Sequence, residues 1–284
     1  MVFFKNFRAQ LAGFGKMNRS QADEGTRLVP KLSIDKSFPE PLSLTWRINH
    51  TIPYLIGGTT FLLGSYQYLP AVSNFVLGGW LFTIGSTGFL YADLCEWWKN
   101  NRVGCAFDEE YRDDYEAQFA SYYDSPSSTS GKYQRAENGL NFAFSAFGSL
   151  LYLIGSIMFI PDLNLMVQGT VIFIPGSAVI FVSQMIKLYR AGCAAPPGKL
   201  YRFQNRSFAL GNLSQDLSGV GVDLCAGLGG FAYMIGSYLF LPSMAVTPEE
   251  VTRAAVWFLF GGAFFTLSGL FIVYRYFCTL NFAH

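Results

Sequence analysis

The chain has 284 residues, 51% of them hydrophobic and 17% aromatic, and its formal net charge is +1. Only 14% of the residues are charged, whereas an average soluble domain has about 25%. This composition excludes an ordinary water-soluble globular domain, and the distribution of charge along the chain predicts an all-α polytopic membrane protein.

The N-terminal segment combines basic with large apolar residues, and its first 21 residues include no Asp or Glu. Phe3, Phe7, Leu11 and Phe14 recur at helical spacing, with Lys and Arg residues between or beyond them. This pattern is typical of an interfacial amphipathic helix and also of a mitochondrial transit peptide. We expect an amphipathic or extended arm over residues 1–47.

Long uncharged stretches predict the membrane-spanning helices. No Asp, Glu, Lys or Arg occurs between Arg47 and Asp93, and four further gaps of this kind follow. An apolar run of about 20 residues spans a bilayer as a helix, and the first gap is long enough for two such runs. We therefore predict six transmembrane helices in three helical hairpins, with a proline ending the first helix of each pair. The predicted spans are 52–69, 75–94, 140–160, 165–186, 224–241 and 254–276.

Basic residues predict the orientation in the membrane. Of the 20 Lys and Arg residues, 19 lie in the arm, in two long loops or at the C-terminal end, and only Arg253 lies in a hairpin turn. The positive-inside rule then places both termini in the mitochondrial matrix, or alternatively in a plastid stroma or a bacterial cytoplasm. The chain divides into the arm (1–47), hairpin 1 (48–95), an acidic polar loop (96–137), hairpin 2 (138–190), a polar loop (191–220) and hairpin 3 with the C-terminal end (221–284).

The first helix of every hairpin carries one repeated pattern, G-[GS]-x4-[LI]-G-S-x2-[FY]-[LI]-P, without insertion. The second helices repeat more weakly. We align Gly78, Gly169 and Gly261 there, which places an insertion of eleven residues in the third hairpin turn.

Small residues recur about two turns apart in these motifs and form a stripe along each helix. They allow close backbone approach, and serine can form a hydrogen bond to the neighbouring helix. We expect the stripe to pack the helices; the alternative is a pore or ligand groove lined by the same residues. The predicted packing residues are Gly57, Gly58, Gly64, Ser65, Gly148, Gly155, Ser156, Gly229, Gly236 and Ser237.

The G-S-x-x-[FY]-[LI] signature, together with the Gly-x5-Gly-Ser spacing from Gly79 to Ser86, resembles the YrhK-like membrane domain, a two-helix module. The resemblance is strongest in the first copy, where Asn49-His50 precedes the helix. It implies a fold of about three such modules and brings with it no catalytic residue or cofactor. The resembling segments are approximately 48–95, 138–188 and 221–276.

The loop between the first two hairpins has an acidic middle, in which aromatic residues share one helical face over residues 108–124. A run of this kind is usually a solvated helix. A docking face for a basic partner is the alternative interpretation.

Ionisable groups within a bilayer commonly mark proton or ion pathways. Asp93, Glu96 and Asp223 lie at ends of predicted helices, and we interpret them as interface residues. His50 and His284 also lie at helix or chain ends, so they cannot hold a haem from both sides. No nucleotide-binding, zinc-protease or hydrolase motif is present. We expect a protein that is not an enzyme, with no catalytic residue, metal or cofactor.

Basic and aromatic residues are predicted to gather at the positive face of the membrane. Such clusters anchor helices and bind anionic lipid headgroups, including cardiolipin. The predicted lipid-binding residues are Arg47, Lys187, Arg190, Arg202, Arg206 and Arg275.

Together these features favour a structural accessory subunit of a large energy-transducing complex, such as the respiratory chain or ATP synthase of the mitochondrial inner membrane. Polar arms and loops of this length are disordered unless neighbours hold them. The expected partners are other subunits and anionic lipids, and no nucleic acid. A small-solute transporter or channel, and a stand-alone YrhK-like membrane protein, are the alternatives.

Overall fold

The computed structural model describes residues 43–101, 129–193 and 208–279. Within these ranges the chain is helical and contains no strand, which confirms the predicted all-α fold. Residues 1–42 of the predicted arm, the acidic segment 108–124, Arg202 and Arg206 lie outside them. The helices are α1 (Leu44–Gln67), α2 (Phe75–Asn101), α3 (Thr129–Met158), α4 (Met166–Gly192), α5 (Leu210–Leu213), α6 (Leu217–Leu239) and α7 (Pro248–Tyr274).

Five of the six long described helices are long and apolar enough to cross a membrane, by length and composition. They are α2, α3, α4, α6 and α7. Although α1 has 24 residues, it is not among them, because Arg47, His50 and several Thr residues lower its mean hydropathy. The helices are consistent with a polytopic membrane protein, and five of the six predicted spans meet this criterion.

The long helices pair in sequence order as three antiparallel hairpins with short turns. The first helix of each pair ends before Pro70, Pro161 or Pro242, as expected for a residue without a backbone donor. In the second turn Asn164 adopts a φ of 52°, and its N–H donates to the carbonyl of Pro161 at 2.9 Å. Asparagine tolerates this left-handed conformation better than most residues.

The three hairpins close into a ring. Going around it, α1 contacts α2, α2 contacts α3, α3 contacts α4, α4 contacts α6, α6 contacts α7, and α7 contacts α1 again. We call the end that carries the three hairpin turns the turn end, and the end at which α1, α3 and α6 begin the loop end.

Aromatic side chains from the first helices of the three hairpins meet on the axis of the ring. Phe61, Tyr152 and Tyr233 form a triangle in which the ring centroids lie 5.2 to 6.0 Å apart. All three side chains are completely buried. They occupy the same place in the repeated motif, so the three hairpins contribute equivalent residues to one layer of the core.

A second triangle lies seven residues further along each helix, towards the turn end. Tyr68, Phe159 and Phe240 have their ring centroids 5.7 to 6.3 Å apart. Phenylalanine rings from the second helices contact both triangles and fill the space between them. These rings belong to Phe82, Phe173 and Phe258.

Candidate functional site on the bundle axis

Glycines of the predicted stripe lie against the second helix of their own hairpin. A Cβ atom added to Gly57 would lie 2.7 Å from the ring of Phe89, and one added to Gly64 would lie 2.8 Å from the ring of Phe82. Those distances are too short for real Cβ atoms, so a larger residue would force the rings to move. The corresponding pairs in the other hairpins are Gly148 with Ile180, Gly155 with Phe173, Gly229 with Phe265 and Gly236 with Phe258.

These contacts correct the alignment of the third hairpin. Gly85, Gly176 and Gly261 each lie against the axial aromatic residue of their own hairpin. Gly261 therefore corresponds to Gly85 and not to Gly78, and the third turn holds four additional residues instead of eleven. Glycines seven residues apart lie on one helix face, two turns apart, so the sequence pattern could not distinguish the two alignments.

The second small residue of the first motif contacts a different hairpin. A Cβ atom added to Gly58 would lie 2.7 Å from the backbone of Phe265, and one added to Gly262 would lie 2.5 Å from the Cα of Leu62. Backbone atoms cannot move aside as the tip of a flexible side chain can. The backbones of α1 and α7 are therefore in direct contact where the ring closes.

The three predicted serines have different environments. Ser65 Oγ lies 2.7 Å from the hydroxyl of Tyr233, and Ser156 Oγ lies 2.7 Å from Ser86 Oγ. Both hydrogen bonds connect different hairpins. Ser237 Oγ is buried and has no hydrogen-bond partner among the described residues.

A cavity of about 20 Å³ lies on the axis, on the loop-end side of the first aromatic triangle. Seven residues before the triangle, the equivalent positions are Tyr54, Ser145 and Ala226, so a third layer would contain one large and two small side chains. The missing volume leaves the cavity, which is large enough for one water molecule. Its other lining residues are Phe89, Asp93, Ser149, Ile180, Gln184 and Phe265.

The carboxylate of Asp93 lines this cavity and is bound by α3. Ser145 Oγ donates to Asp93 Oδ1 at 2.7 Å, and Ser149 Oγ donates to Oδ2. The Asp93 side chain therefore faces the interior of the ring and is hydrogen-bonded to α3, which the sequence did not predict. Asp93 follows Phe89 by four residues, which places both on the face of α2 that is turned towards the ring interior.

Two further side chains that carry oxygen atoms line the same cavity from other helices. Gln184 of α4 is 7% exposed, and its Oε1 has no hydrogen-bond partner within the described parts of the chain. The hydroxyl of Tyr54 in α1 lies 3.0 Å from Ser268 Oγ, which donates its own proton to the carbonyl of Val222. The tyrosine is therefore the donor to Ser268, and its oxygen keeps free lone pairs.

An ion pair and a contact between a histidine and a carboxylate lie nearer the loop end. Arg275 Nη2 lies 3.0 Å from Asp216 Oδ2, and the side chains are 11% and 4% exposed. His50 Nε2 lies 3.4 Å from Glu96 Oε1, and its ring stacks on Trp46 with centroids 4.9 Å apart. These groups connect α7 to the start of α6, and α1 to the end of α2.

The described lipid-binding candidates have different environments. Arg275 is buried in its ion pair, which removes it from the surface where lipid headgroups bind. Arg47 donates a hydrogen bond of 3.0 Å to a backbone carbonyl just after α7. The ammonium of Lys187 lies 5.8 Å from the centre of the Phe142 ring, and Arg190 is half-buried near the end of α4.

Sequence reasoning missed both the axial aromatic layers and the environment of Asp93. The aromatic layers had a signal, because Phe61, Tyr152 and Tyr233 take the same variable place in the repeated motif. Asp93 had no comparable signal, since its hydrogen-bond donors come from another hairpin more than 50 residues away.

The similarity to a known protein family lies in the first hairpin. No curated protein and no solved structure matches the chain. A family model described as YrhK-like protein matches residues 45–99, a segment that covers most of α1 and α2. Additional copies in the second and third hairpins remain a prediction. The first hairpin is a YrhK-like domain, as its motif resemblance indicated.

Proposed function

We propose that this chain is a non-catalytic structural subunit of a large membrane assembly, to which its helices supply packing and lipid-binding surface. The filled bundle axis carries the proposal. Two aromatic triangles and the rings between them occupy the centre of the six-helix ring on the turn-end side. A solute pathway along the axis would have to displace completely buried side chains, which favours packing over transport.

The outward faces of the helices support the same proposal. Large apolar side chains are exposed along several helices, among them Trp80 (52%), Tyr238 (54%) and Phe260 (54%). Apolar surface of this kind requires lipid chains or neighbouring subunits. Lipid chains are as apolar as the side chains, so packing against another helix has to be shape-specific.

The proposal extends to a mitochondrial inner membrane and to an energy-transducing complex such as the respiratory chain or ATP synthase. Its support is the basic, acid-free and presequence-like N-terminal segment and the positive-inside distribution of Lys and Arg. Bound cardiolipin, and both termini in the matrix, belong to the same proposal.

Native electrophoresis in a mild detergent tests the proposal. The full chain should migrate far above its own mass of 31.6 kDa, and mass spectrometry of the band should identify partners at a fixed stoichiometry. A six-helix membrane protein of known monomeric state, processed in parallel, controls for bound detergent. Migration as a lone species would overturn the assembly proposal.

Liposome flux measurements separate this proposal from a transporter. Vesicles that contain only the purified chain should leak small solutes no faster than protein-free vesicles. Solute-selective and saturable flux would favour the transporter or channel over the structural subunit.

A further inference from the structure

Most polar groups that line the axial cavity can act only as hydrogen-bond acceptors towards a bound molecule or ion. Ser145 and Ser149 donate their hydroxyl protons to Asp93, and Tyr54 donates its proton to Ser268. Each hydroxyl oxygen therefore offers lone pairs to the cavity and no proton. Among the lining residues only the amide N–H groups of Gln184 can donate to a water molecule, whereas a cation needs acceptors alone.

Gln184 provides an independent observation. Its side chain is more than nine-tenths buried, it lines the cavity, and its Oε1 is without a hydrogen-bond partner in the described residues. Burial of an unpaired amide oxygen destabilises a folded protein. A bound cation would satisfy this oxygen.

The carboxylates near the cavity differ in whether they form an ion pair. Asp216 pairs with Arg275, and Glu96 contacts His50. Asp93 and Asp223 form no ion pair among the described residues, and both lie within electrostatic range of Lys187. Asp223 also lies within electrostatic range of Arg275. Asp93, the carboxylate that lines the cavity, has no ion-pair partner within the described residues.

We propose that this cavity is a binding site for one monovalent cation of the size of sodium. The ion would be coordinated by the Asp93 carboxylate, the Gln184 Oε1 and hydroxyl oxygens of Tyr54 and the two α3 serines. A single carboxylate suits a monovalent ion, because calcium sites use several oxygen ligands with a larger total charge and magnesium sites keep several waters. The space for one water molecule admits a dehydrated ion of sodium or potassium size, and the comparison of sodium chloride with potassium chloride distinguishes the two.

The position of the site determines what it does for the bundle. Its ligands come from α1, α2, α3 and α4, so a bound ion joins the first two hairpins at the centre of the ring. The aromatic triangles close the cavity towards the turn end, and the ion therefore enters and leaves from the loop end. Sodium is expected to act as a structural cross-link and not as a transported solute.

Sodium binding to the purified full chain in detergent tests the site directly. Equilibrium binding of radioactive sodium should saturate at one ion per chain. The thermal unfolding midpoint should rise with sodium chloride when choline chloride keeps the ionic strength constant, and potassium chloride should raise it less at the same concentration.

Three substitutions locate the ion. Asp93→Asn removes the charge, Gln184→Leu removes the amide oxygen, and Ala226→Val fills the cavity while leaving every proposed ligand in place. Each should weaken sodium binding at least tenfold and suppress the sodium-dependent rise in midpoint. Asp162→Asn, in the exposed second turn, is the matched control and should bind sodium as the unsubstituted chain does.

The unsubstituted chain is sufficient to overturn the proposal, even if a variant fails to fold. No bound radioactive sodium, together with equal midpoints in sodium and choline chloride, would mean that the cavity holds no ion. Unchanged binding by folded Gln184→Leu and Ala226→Val proteins would place any bound sodium elsewhere and would equally refute this site.

Discussion

At the scale of single residues, the buried tyrosine hydroxyl groups in the axial core differ in whether they form hydrogen bonds. The hydroxyl of Tyr233 lies 2.7 Å from Ser65 Oγ and 3.2 Å from the carbonyl of Phe61. The hydroxyl of Tyr68 is buried without a hydrogen-bond partner among the described residues. The positions equivalent to Tyr68 in the other hairpins are Phe159 and Phe240, which have no hydroxyl. The axial packing therefore depends on the rings, and only some hydroxyls contribute.

Two substitutions of tyrosine by phenylalanine test this difference. Tyr233→Phe should destabilise the protein by about 1 kcal/mol, because it removes a hydrogen bond between hairpins and leaves Ser65 with one partner fewer. Tyr68→Phe, the matched control, should leave stability unchanged or raise it, because it removes an unsatisfied buried group. Thermal unfolding in detergent measures both. Equal losses of stability in the two variants would show that the hydrogen bonds of the tyrosine hydroxyl do not determine the effect.

At the scale of elements, α7 begins with a capping box after the third turn. Thr247 Oγ1 accepts from the backbone N–H of Glu250 at 3.3 Å, and Glu250 Oε2 accepts from the N–H of Thr247 at 2.9 Å. These bonds satisfy backbone donors that the first turn of a helix leaves unpaired. The longer third turn thus still ends at a defined residue.

Loss of this cap should destabilise the start of α7. Thr247→Ala is expected to cost about 1 kcal/mol and to speed hydrogen exchange of the first-turn amides. Thr252→Ala is the control, because its hydroxyl donates only to the carbonyl of Pro248 within the same turn and its loss leaves no backbone donor unpaired. Equal hydrogen-exchange protection of the first-turn amides in the two variants would argue against the capping box.

The ion pair of Asp216 and Arg275 connects the start of α6 to the end of α7. Asp216 also caps α6 by accepting from the N–H of Gly219 at 2.9 Å. Asparagine can keep this cap, so Asp216→Asn removes mainly the charge. The carboxylate therefore has two separable roles.

A double-mutant cycle measures the ion pair. Arg275→Gln and Asp216→Asn should each cost about 3 kcal/mol, because each removes one member of a buried ion pair. The double variant should cost clearly less than the sum of the two. Strict additivity of the unfolding midpoints would contradict a coupled pair.

At the scale of the whole molecule, the ring depends on a contact between its first and last helices. Leu62 and Gly262 lie 200 residues apart in sequence, yet their backbones meet with no room for a side chain between them. The same two helices share the hydrogen bond from Ser65 Oγ to the carbonyl of Phe258 at 3.0 Å. Closure therefore rests on small residues at the crossing point.

Enlarging a glycine at this contact should open the ring. Gly262→Ala is expected to destabilise the protein by roughly 1 to 3 kcal/mol through overpacking, although alanine favours a helix more than glycine does. Gly139→Ala is the matched control, since a Cβ atom there meets nothing within 4 Å, and it should be neutral or stabilising. A neutral Gly262→Ala would mean that α1 and α7 can separate at no cost.

The amino-acid sequence by itself determined the features that depend on residues near each other in the chain. The uncharged runs, the prolines at the turns and the repeated motif identified an all-α polytopic protein made of hairpins, and the first hairpin as YrhK-like. The glycine spacing located the close contacts within each hairpin. These features follow from helix periodicity and hydropathy, which are local.

The tertiary structure alone decided how the hairpins meet. A seven-residue spacing returns a side chain to almost the same face of a helix, so the motif could not fix the alignment of Gly261. It could not show that Asp93 meets Ser145 and Ser149, or that Gln184 faces the same cavity, because those contacts join helices from different hairpins. Their rotation is set by the packing of the whole ring around its axis, and no local pattern specifies it.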